Sequence, residues 1–176
     1  MRFHFTLAPA AIVAALSGSV AIAETFLSVE EAQQLIFPGA QFTPADFTLS
    51  DADVERLREV SRATVFRAKV KLWSVSTGGW FFLDQVLGRD DRLTYAVGVN
   101  ADGTVRSIEI LECTGEYGQV RSAEWRRTFT GRRFQSVHLS KEIPNISGAT
   151  LSAAHIADGV TRVLATYALF VASKAN

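Results

Sequence analysis

The chain has 176 residues, 48% of them hydrophobic and 20% charged, and its 18 basic and 18 acidic side chains give a formal net charge of zero. This length predicts one domain, and the balanced charge argues against a nucleic-acid-binding protein, which usually carries a basic excess. The single cysteine, Cys113, excludes an internal disulfide framework and a zinc site built from several thiolates.

The first 23 residues have the layout of a secretory signal peptide. Arg2 gives a positive start, an apolar alanine-rich run follows, and Ala21-Ile22-Ala23 is a small-residue exit. The alternative is a transmembrane anchor of about 20 apolar residues. We expect cleavage after Ala23, which makes the protein periplasmic and leaves residues 24–176 as one domain.

Two start signals predict a helical N-terminal portion, about residues 24–62. The sequence Ser28-Val29-Glu30-Glu31 is a capping box, and the helix that it opens should end before Pro38. Ser50-Asp51-Ala52-Asp53 is a second start signal, and apolar residues follow it at helical spacing.

Four alternating segments then predict strands, joined by short turns. The tightest turn is Asn100-Ala101-Asp102-Gly103, because Asp-Gly supplies the positive φ that a hairpin needs. Short turns between consecutive strands indicate an antiparallel meander. The four segments are Val65–Trp73, Trp80–Leu87, Leu93–Val99 and Val105–Leu111.

Two further helices follow the strands. Ser122–Phe129 predicts a short helix with Trp125 and Phe129 on one face, at positions i and i+4. Apolar residues at helical spacing from Leu151 to about Ala172 predict the longest helix. The expected fold class is therefore α+β: an antiparallel β-meander packed with helices, with a long C-terminal helix.

The stretch Ser147-Gly148-Ala149-Thr150-Leu151-Ser152 directly precedes this long helix. Helix N-termini bind phosphate through free backbone N–H groups, and small residues let a ligand approach the backbone closely. The stretch therefore predicts a phosphate-binding site with a nucleophilic hydroxyl. The alternative is an ordinary loop that caps a helix.

The tetrapeptide Ser147-Gly148-Ala149-Thr150 resembles the [ST]-G-A-[ST] flavinylation motif of the FMN-binding domain family. That family includes the C subunit of the sodium-pumping NADH:quinone reductase and the G subunit of the Rnf complex. The resemblance implies that a flavin transferase attaches FMN to Thr150 through a phosphoester. It also implies electron exchange with a membrane-bound or periplasmic redox partner. The family's Asp six residues before the acceptor is Pro144 here.

The resemblance extends upstream, to Glu116-Tyr117-Gly118 and to the pair Trp125 and Phe129. It implies that these residues border the isoalloxazine ring, whereas the alternative for the aromatic pair is a place in the core. His155 either faces the flavin phosphate or lies on the helix surface. A second functional interpretation remains: a non-redox periplasmic binding or sensory module, with non-covalent flavin or none.

Overall fold

The structure is a computed structural model that describes residues 24–87, 92–113, 118–137 and 141–172. The predicted signal peptide lies outside these ranges, and so do Glu116 and Tyr117 of the predicted flavin site.

Both predicted N-terminal helices are confirmed, and both begin with a complete capping box. The Ser28 hydroxyl accepts from the backbone N–H of Glu31, whose carboxylate accepts from the Ser28 N–H at 2.8 Å. Ser50 and Asp53 repeat this arrangement. The α-helices of the described ranges are α1 (Val29–Ile36), α2 (Asp51–Ser61), α3 (Ala123–Arg127) and α4 (Thr150–Thr166).

The strands of the described ranges form one antiparallel sheet, in the order β1-β7-β6-β5-β4-β2, and β3 also pairs with β4. Strands β4 to β7 are the predicted meander. The predicted turn between β6 and β7 is also present, with Gly103 at φ +81°. The strands are β1 (Glu24–Thr25), β2 (Phe42–Pro44), β3 (Phe47–Thr48), β4 (Lys69–Val75), β5 (Trp80–Leu87), β6 (Arg92–Val99) and β7 (Val105–Cys113).

Two parts of the predicted layout need correction. The first meander strand begins at Lys69 rather than Val65, because Val65 turns into an apolar cluster with Leu57 of α2 instead of joining the ladder. The segment 24–62 is also not purely helical, since it contributes three short strands to the edges of the sheet.

Helix α4 covers one face of the sheet. The largest of the buried hydrophobic clusters among the described residues lies between the two. Tyr95, Val97 and Ile108 from the central strands pack in one buried cluster with Ile156 and Val160 of α4. Beyond Thr166 the helix continues as a π-helical turn, Tyr167–Val171. No helix of the described ranges is long and apolar enough to span a membrane.

Helix α1 covers part of the opposite face. Ile36 and Phe37 at its C-terminal end pack with Phe81 of β5, Ala96 of β6 and Leu111 of β7. Strand β6 is therefore buried on both faces, and every residue from Leu93 to Val99 is buried. The two faces together fix the register of the meander.

A buried polar network ties α4 to the sheet. The Tyr95 hydroxyl donates to Asp84 Oδ2 at 2.7 Å, and Arg162 Nη2 donates to the same oxygen at 2.6 Å. Gly159 makes this approach possible, because a Cβ on that residue would lie 2.2 Å from the Tyr95 hydroxyl oxygen. Burial, and then the charge of Asp84, raise the pKa of Tyr95 well above its ordinary value, so it acts as a neutral donor.

Candidate functional site

The loop before α4 turns tightly around Gly148. This residue has φ +82°, a left-handed conformation in which a side chain would be strained. The Ala149 N–H closes the turn by donating to the Ile146 carbonyl at 3.1 Å, and Ala149 itself is buried. The Ala149 methyl group thus anchors the loop, while Ser147 and Gly148 remain exposed.

Thr150 is the first residue of α4, one position earlier than the predicted helix start. Its side chain is exposed, and Oγ1 donates to the Ile146 carbonyl at 3.2 Å. This bond uses the hydroxyl proton and leaves the oxygen lone pairs on the solvent side. An external reagent can therefore reach the hydroxyl without unfolding the loop.

The first turn of α4 is uncapped, in contrast to α1 and α2. Its N-cap residue, Ala149, makes no side-chain hydrogen bond, and no acidic residue lies in the turn. The backbone N–H groups of Thr150, Leu151 and Ser152 have no intrahelical acceptor, as at any helix start. The positive end of the helix dipole is therefore left for an external anion, and these residues fit a phosphate group.

Leu151 and Ser152, which follow the tetrapeptide, differ in their exposure to solvent. Leu151 is 54% exposed, an unusual position for a leucine side chain beside a polar loop. Ser152 is buried below the first turn, and its Oγ has no hydrogen-bond partner within the described ranges. A buried hydroxyl that makes no hydrogen bond is costly, so Ser152 is placed to bind a group held at the loop before α4. This loop, residues 144–149, is called the acceptor loop because it leads to the candidate flavin acceptor Thr150.

Trp125 fastens the acceptor loop to the core. Its indole Nε1–H donates to the Pro144 carbonyl at 2.8 Å, and its ring packs edge-on against Phe129 with centroids 5.0 Å apart. Phe129 is fully buried and Trp125 is 6% exposed, so both rings belong to the core cluster. Their predicted contact with the isoalloxazine ring stays a prediction.

The 3₁₀ turn Gly118–Arg121 lies next to the acceptor loop. A Cβ on Gly148 would meet the Gln119 side-chain nitrogen at 3.8 Å as its nearest neighbour. The structure thus brings Gln119, the residue after the predicted Gly118, close to Gly148. No local pattern indicates Gln119, because it lies far from Gly148 in the chain.

Two arginines near the loop are held by specific partners. Arg126 pairs with Glu109 of β7 at 3.0 Å, and both side chains are largely shielded from solvent. Burial raises the pKa of Glu109, although the charge of Arg126 acts in the opposite direction. Arg132 donates to the carbonyls of Thr128 and Glu142, each at 3.2 Å. These contacts fix the segment that leads into the loop.

His155 is half-buried, and its Nδ1 has no hydrogen-bond partner within the described ranges. It lines a small cavity of about 120 Å³ with Asp158, Arg162 and Phe66. Of the two alternatives for His155, a place facing a flavin phosphate stays a prediction, and the structure places the residue partly covered at the surface of α4. Within the described ranges, no group of three His, Cys, Asp or Glu side chains is arranged to hold a metal ion.

The arrangement defines a class of protein: an α+β domain in which an uncapped helix start and a glycine turn form a candidate phosphate-binding site around an exposed threonine. Comparison with protein families supports this class and narrows it. Residues 88–165 match the family model described as the FMN-binding domain.

Residues 88–165 thus match the FMN-binding domain, which indicates FMN as the cofactor. The matched segment takes in the acceptor loop, α3 and most of α4. A comparison with curated proteins finds no match.

Proposed function

We propose that this protein is an exported electron carrier whose FMN is attached to Thr150 through a phosphoester. The observation that carries the proposal is the exposed Thr150 hydroxyl at the uncapped start of α4, inside the segment that matches the FMN-binding domain. Bound flavin supplies one- and two-electron redox chemistry, and the protein positions and tunes it.

Attachment needs an activated donor, because a hydroxyl does not condense with a free phosphate in water. A flavin pyrophosphate is the required class of donor. The Thr150 oxygen bonds to the flavin-side phosphorus as the bond from that phosphorus to the bridging oxygen breaks. The bridging oxygen leaves with the nucleoside monophosphate, and a base of the flavin transferase takes the hydroxyl proton.

The chain's own residues then hold the phosphate group. The amides of Thr150, Leu151 and Ser152 and the helix dipole favour its negative charge. Gly148 leaves space on one side of the loop, and the indole of Trp125 holds the other end of the loop through the Pro144 carbonyl. That bond gives the loop a fixed point at the position of the family's usual Asp.

The test is the intact mass of protein recovered from the periplasm of cells that also produce a flavin transferase. We expect a chain that begins at Glu24 and carries one FMN, with the mass of one water lost. Thr150→Ala should fold and be exported without the added mass. Thr150→Ser should retain part of it, because the hydroxyl remains while the methyl group that restricts its rotamer is lost.

Thr130→Ala is the matched control, since Thr130 is also exposed but lies after α3. Its FMN content should equal that of the wild type. An added flavin mass that persists in Thr150→Ala would overturn the assignment. Flavin that is lost on denaturation of the wild type would point instead to a module with non-covalent FMN.

Electron transfer needs a separate measurement. We expect the FMN-carrying protein to be reduced and reoxidised reversibly in a spectroelectrochemical titration. Full flavin incorporation without reversible reduction would favour a binding or sensory module. The redox partner is then sought among membrane-bound and periplasmic electron carriers by following flavin reduction in membrane fractions.

A further inference from the structure

A second cavity lies away from the acceptor loop. It has a volume of about 450 Å³ and lies between the sheet, α2 and α4, around Arg162. From Thr150 to Arg162 is 12 residues along α4, which corresponds to about 18 Å along the helix axis. The cavity is within the size range of small-molecule sites, which begins at about 300 Å³.

The cavity exists because β4 and β5 diverge. Their pairing extends from Ser74 opposite Trp80 to Lys71 opposite Leu83, yet β5 continues to Leu87. The last four residues of β5 therefore pair only with β6. The resulting gap opens into the sheet from its edge.

Arg162 reaches into this gap from α4. Its Nη2 donates to the Gln85 carbonyl at 3.0 Å and to Asp84 Oδ2 at 2.6 Å, while Nη1 donates to the Thr64 carbonyl. The Arg162 side chain is only 7% exposed, and the partner carboxylate neutralises its charge. The inner end of the gap is thus polar, rigid and electrically balanced.

One wall of the cavity is apolar. Leu57 of α2, Phe82 and Val86 of β5, and Val163 of α4 line it and are all buried. A preformed apolar wall of this kind favours a ligand with a ring or branched hydrocarbon body.

The mouth carries an excess of positive charge. Arg67, Lys71 and Arg92 line the cavity, are exposed, and form no ion pair with any carboxylate of the described ranges. Lys69 also lines it and pairs with Asp46 at 3.7 Å. Exposed cations that pair with no carboxylate of the described ranges, around a cavity with one apolar wall, favour a ligand that carries a negative charge.

We propose that this cavity is a second ligand site, for an amphipathic organic anion with an apolar ring body and one anionic group. The anionic group lies among Arg67, Lys71 and Arg92, and the ring body lies against Phe82 and Val86. The site does not depend on FMN attachment, because it shares no residue with the acceptor loop.

Two probes that differ by one charged group test this proposal. 8-Anilinonaphthalene-1-sulfonate has the ring body and the anion, whereas N-phenyl-1-naphthylamine lacks only the sulfonate. Protein made without a flavin transferase is titrated with each probe by fluorescence at low ionic strength. We expect one sulfonate probe per chain, bound at least tenfold more tightly than the neutral probe.

The site is located by ¹⁵N-HSQC spectra and by charge removal. The Gln85 side-chain amide and the Arg162 Nε–H signals should shift on saturation with the sulfonate probe. Lys71→Gln with Arg92→Gln should weaken that probe about fivefold for each charge removed and leave the neutral probe within about twofold. Both residues are exposed, so the double variant should fold as the wild type does.

Arg127→Gln, which removes an exposed cation on α3, is the matched control and should bind the sulfonate probe as the wild type does. Three results would each overturn the proposal: several probe molecules per chain without shifts at Gln85 and Arg162, equal affinity for the two probes, or an affinity for the sulfonate probe that the double variant does not change. An equal loss in Arg127→Gln would also overturn it, since the attraction would then come from net charge alone.

Discussion

Replacing Gly159 with Ala tests whether the buried Tyr95 network holds α4 against the sheet. On helix propensity alone the change should stabilise the protein by about 1 kcal/mol, because Gly159 lies inside a helix. The structure predicts the opposite. The new methyl carbon would lie 2.2 Å from the Tyr95 hydroxyl oxygen and 2.8 Å from Val86 Cγ1, and Tyr95 has no exposed surface into which it could withdraw.

The loss of stability in Gly159→Ala can be estimated from the contacts that the new methyl group disrupts. Overpacking of a core costs about 1–3 kcal/mol, and losing the hydrogen bond to the Asp84 carboxylate adds about 1.5–3 kcal/mol. After the gain in propensity, Gly159→Ala should lower the free energy of unfolding by about 2–5 kcal/mol. Equilibrium unfolding in urea, followed by tryptophan fluorescence and circular dichroism, measures this loss.

The double variant isolates the contact. Tyr95→Phe removes the oxygen nearest to the new methyl group, so the cost of Gly159→Ala should be smaller in that background by at least about 1 kcal/mol. Some cost should remain, because Tyr95 Cζ would still lie 2.9 Å from the methyl carbon. Additive effects in the two backgrounds, or a Gly159→Ala variant more stable than the wild type, would refute the reasoning.

Three further predictions follow from individual contacts. Trp125→Phe removes the donor to the Pro144 carbonyl and should lower FMN incorporation by intact mass about fivefold, whereas Trp73→Phe, on the α1 face of the sheet, should leave it unchanged. Ser28→Ala should cost about 1 kcal/mol in urea unfolding. In that variant the pKa of Glu31, now lowered by hydrogen bonds to Ser28, should return toward 4.5 in an NMR titration. Burial raises the pKa of Tyr95 above 10.0, so the unfolded chain loses this proton first, and stability should fall as the pH rises above that value. Stability curves of Tyr95→Phe should lack this component, and an identical alkaline loss in both proteins would contradict it.

The meander was predictable because its signals are local. Each strand alternates over a short window, and Asn100–Gly103 encodes its own turn through Asp-Gly. The helix starts at Ser28 and Ser50 are local too, since each capping box lies within four residues. Tertiary packing then stabilises conformations that the local sequence already favours.

Strands β2 and β3 were not predictable, because the strand with which they pair, β4, is remote in the chain. Phe42–Pro44 and Phe47–Thr48 are too short to show alternation, and Pro44 argues against a strand. Both strands pair with the edge of β4 that does not face β5. Between β2 and β3, the Ala45 N–H also donates to the Leu72 carbonyl of β4 at 2.9 Å. Such pairing is a property of the assembled sheet.

Some features of the acceptor loop are likewise predictable from local sequence, and others are not. The position of Thr150 at a helix start and the left-handed Gly148 follow from the tetrapeptide and the helical period after it. The hydrogen bond from the Trp125 indole to the Pro144 carbonyl spans 19 residues, and the one between Arg162 and Asp84 spans 78. Neither can therefore be predicted from a local sequence pattern. An arginine on an apolar helix face indicates that a hydrogen-bonding or charged partner is needed, but it does not indicate which residue that partner is.

Helix α4 explains how an exposed acceptor and a rigid core coexist in one element. Its buried face, with Ala153, Ile156 and Val160, is fixed by the sheet, and Arg162 anchors its middle to β5. Because a helix transmits position along its axis, the first turn is held in place although the Thr150 side chain is exposed. In the proposed attachment, a transferase would meet a pre-positioned hydroxyl, and little conformational entropy would remain to be lost. Loosening the anchor at Gly159 or Arg162 should therefore lower FMN incorporation even though neither residue lies in the loop.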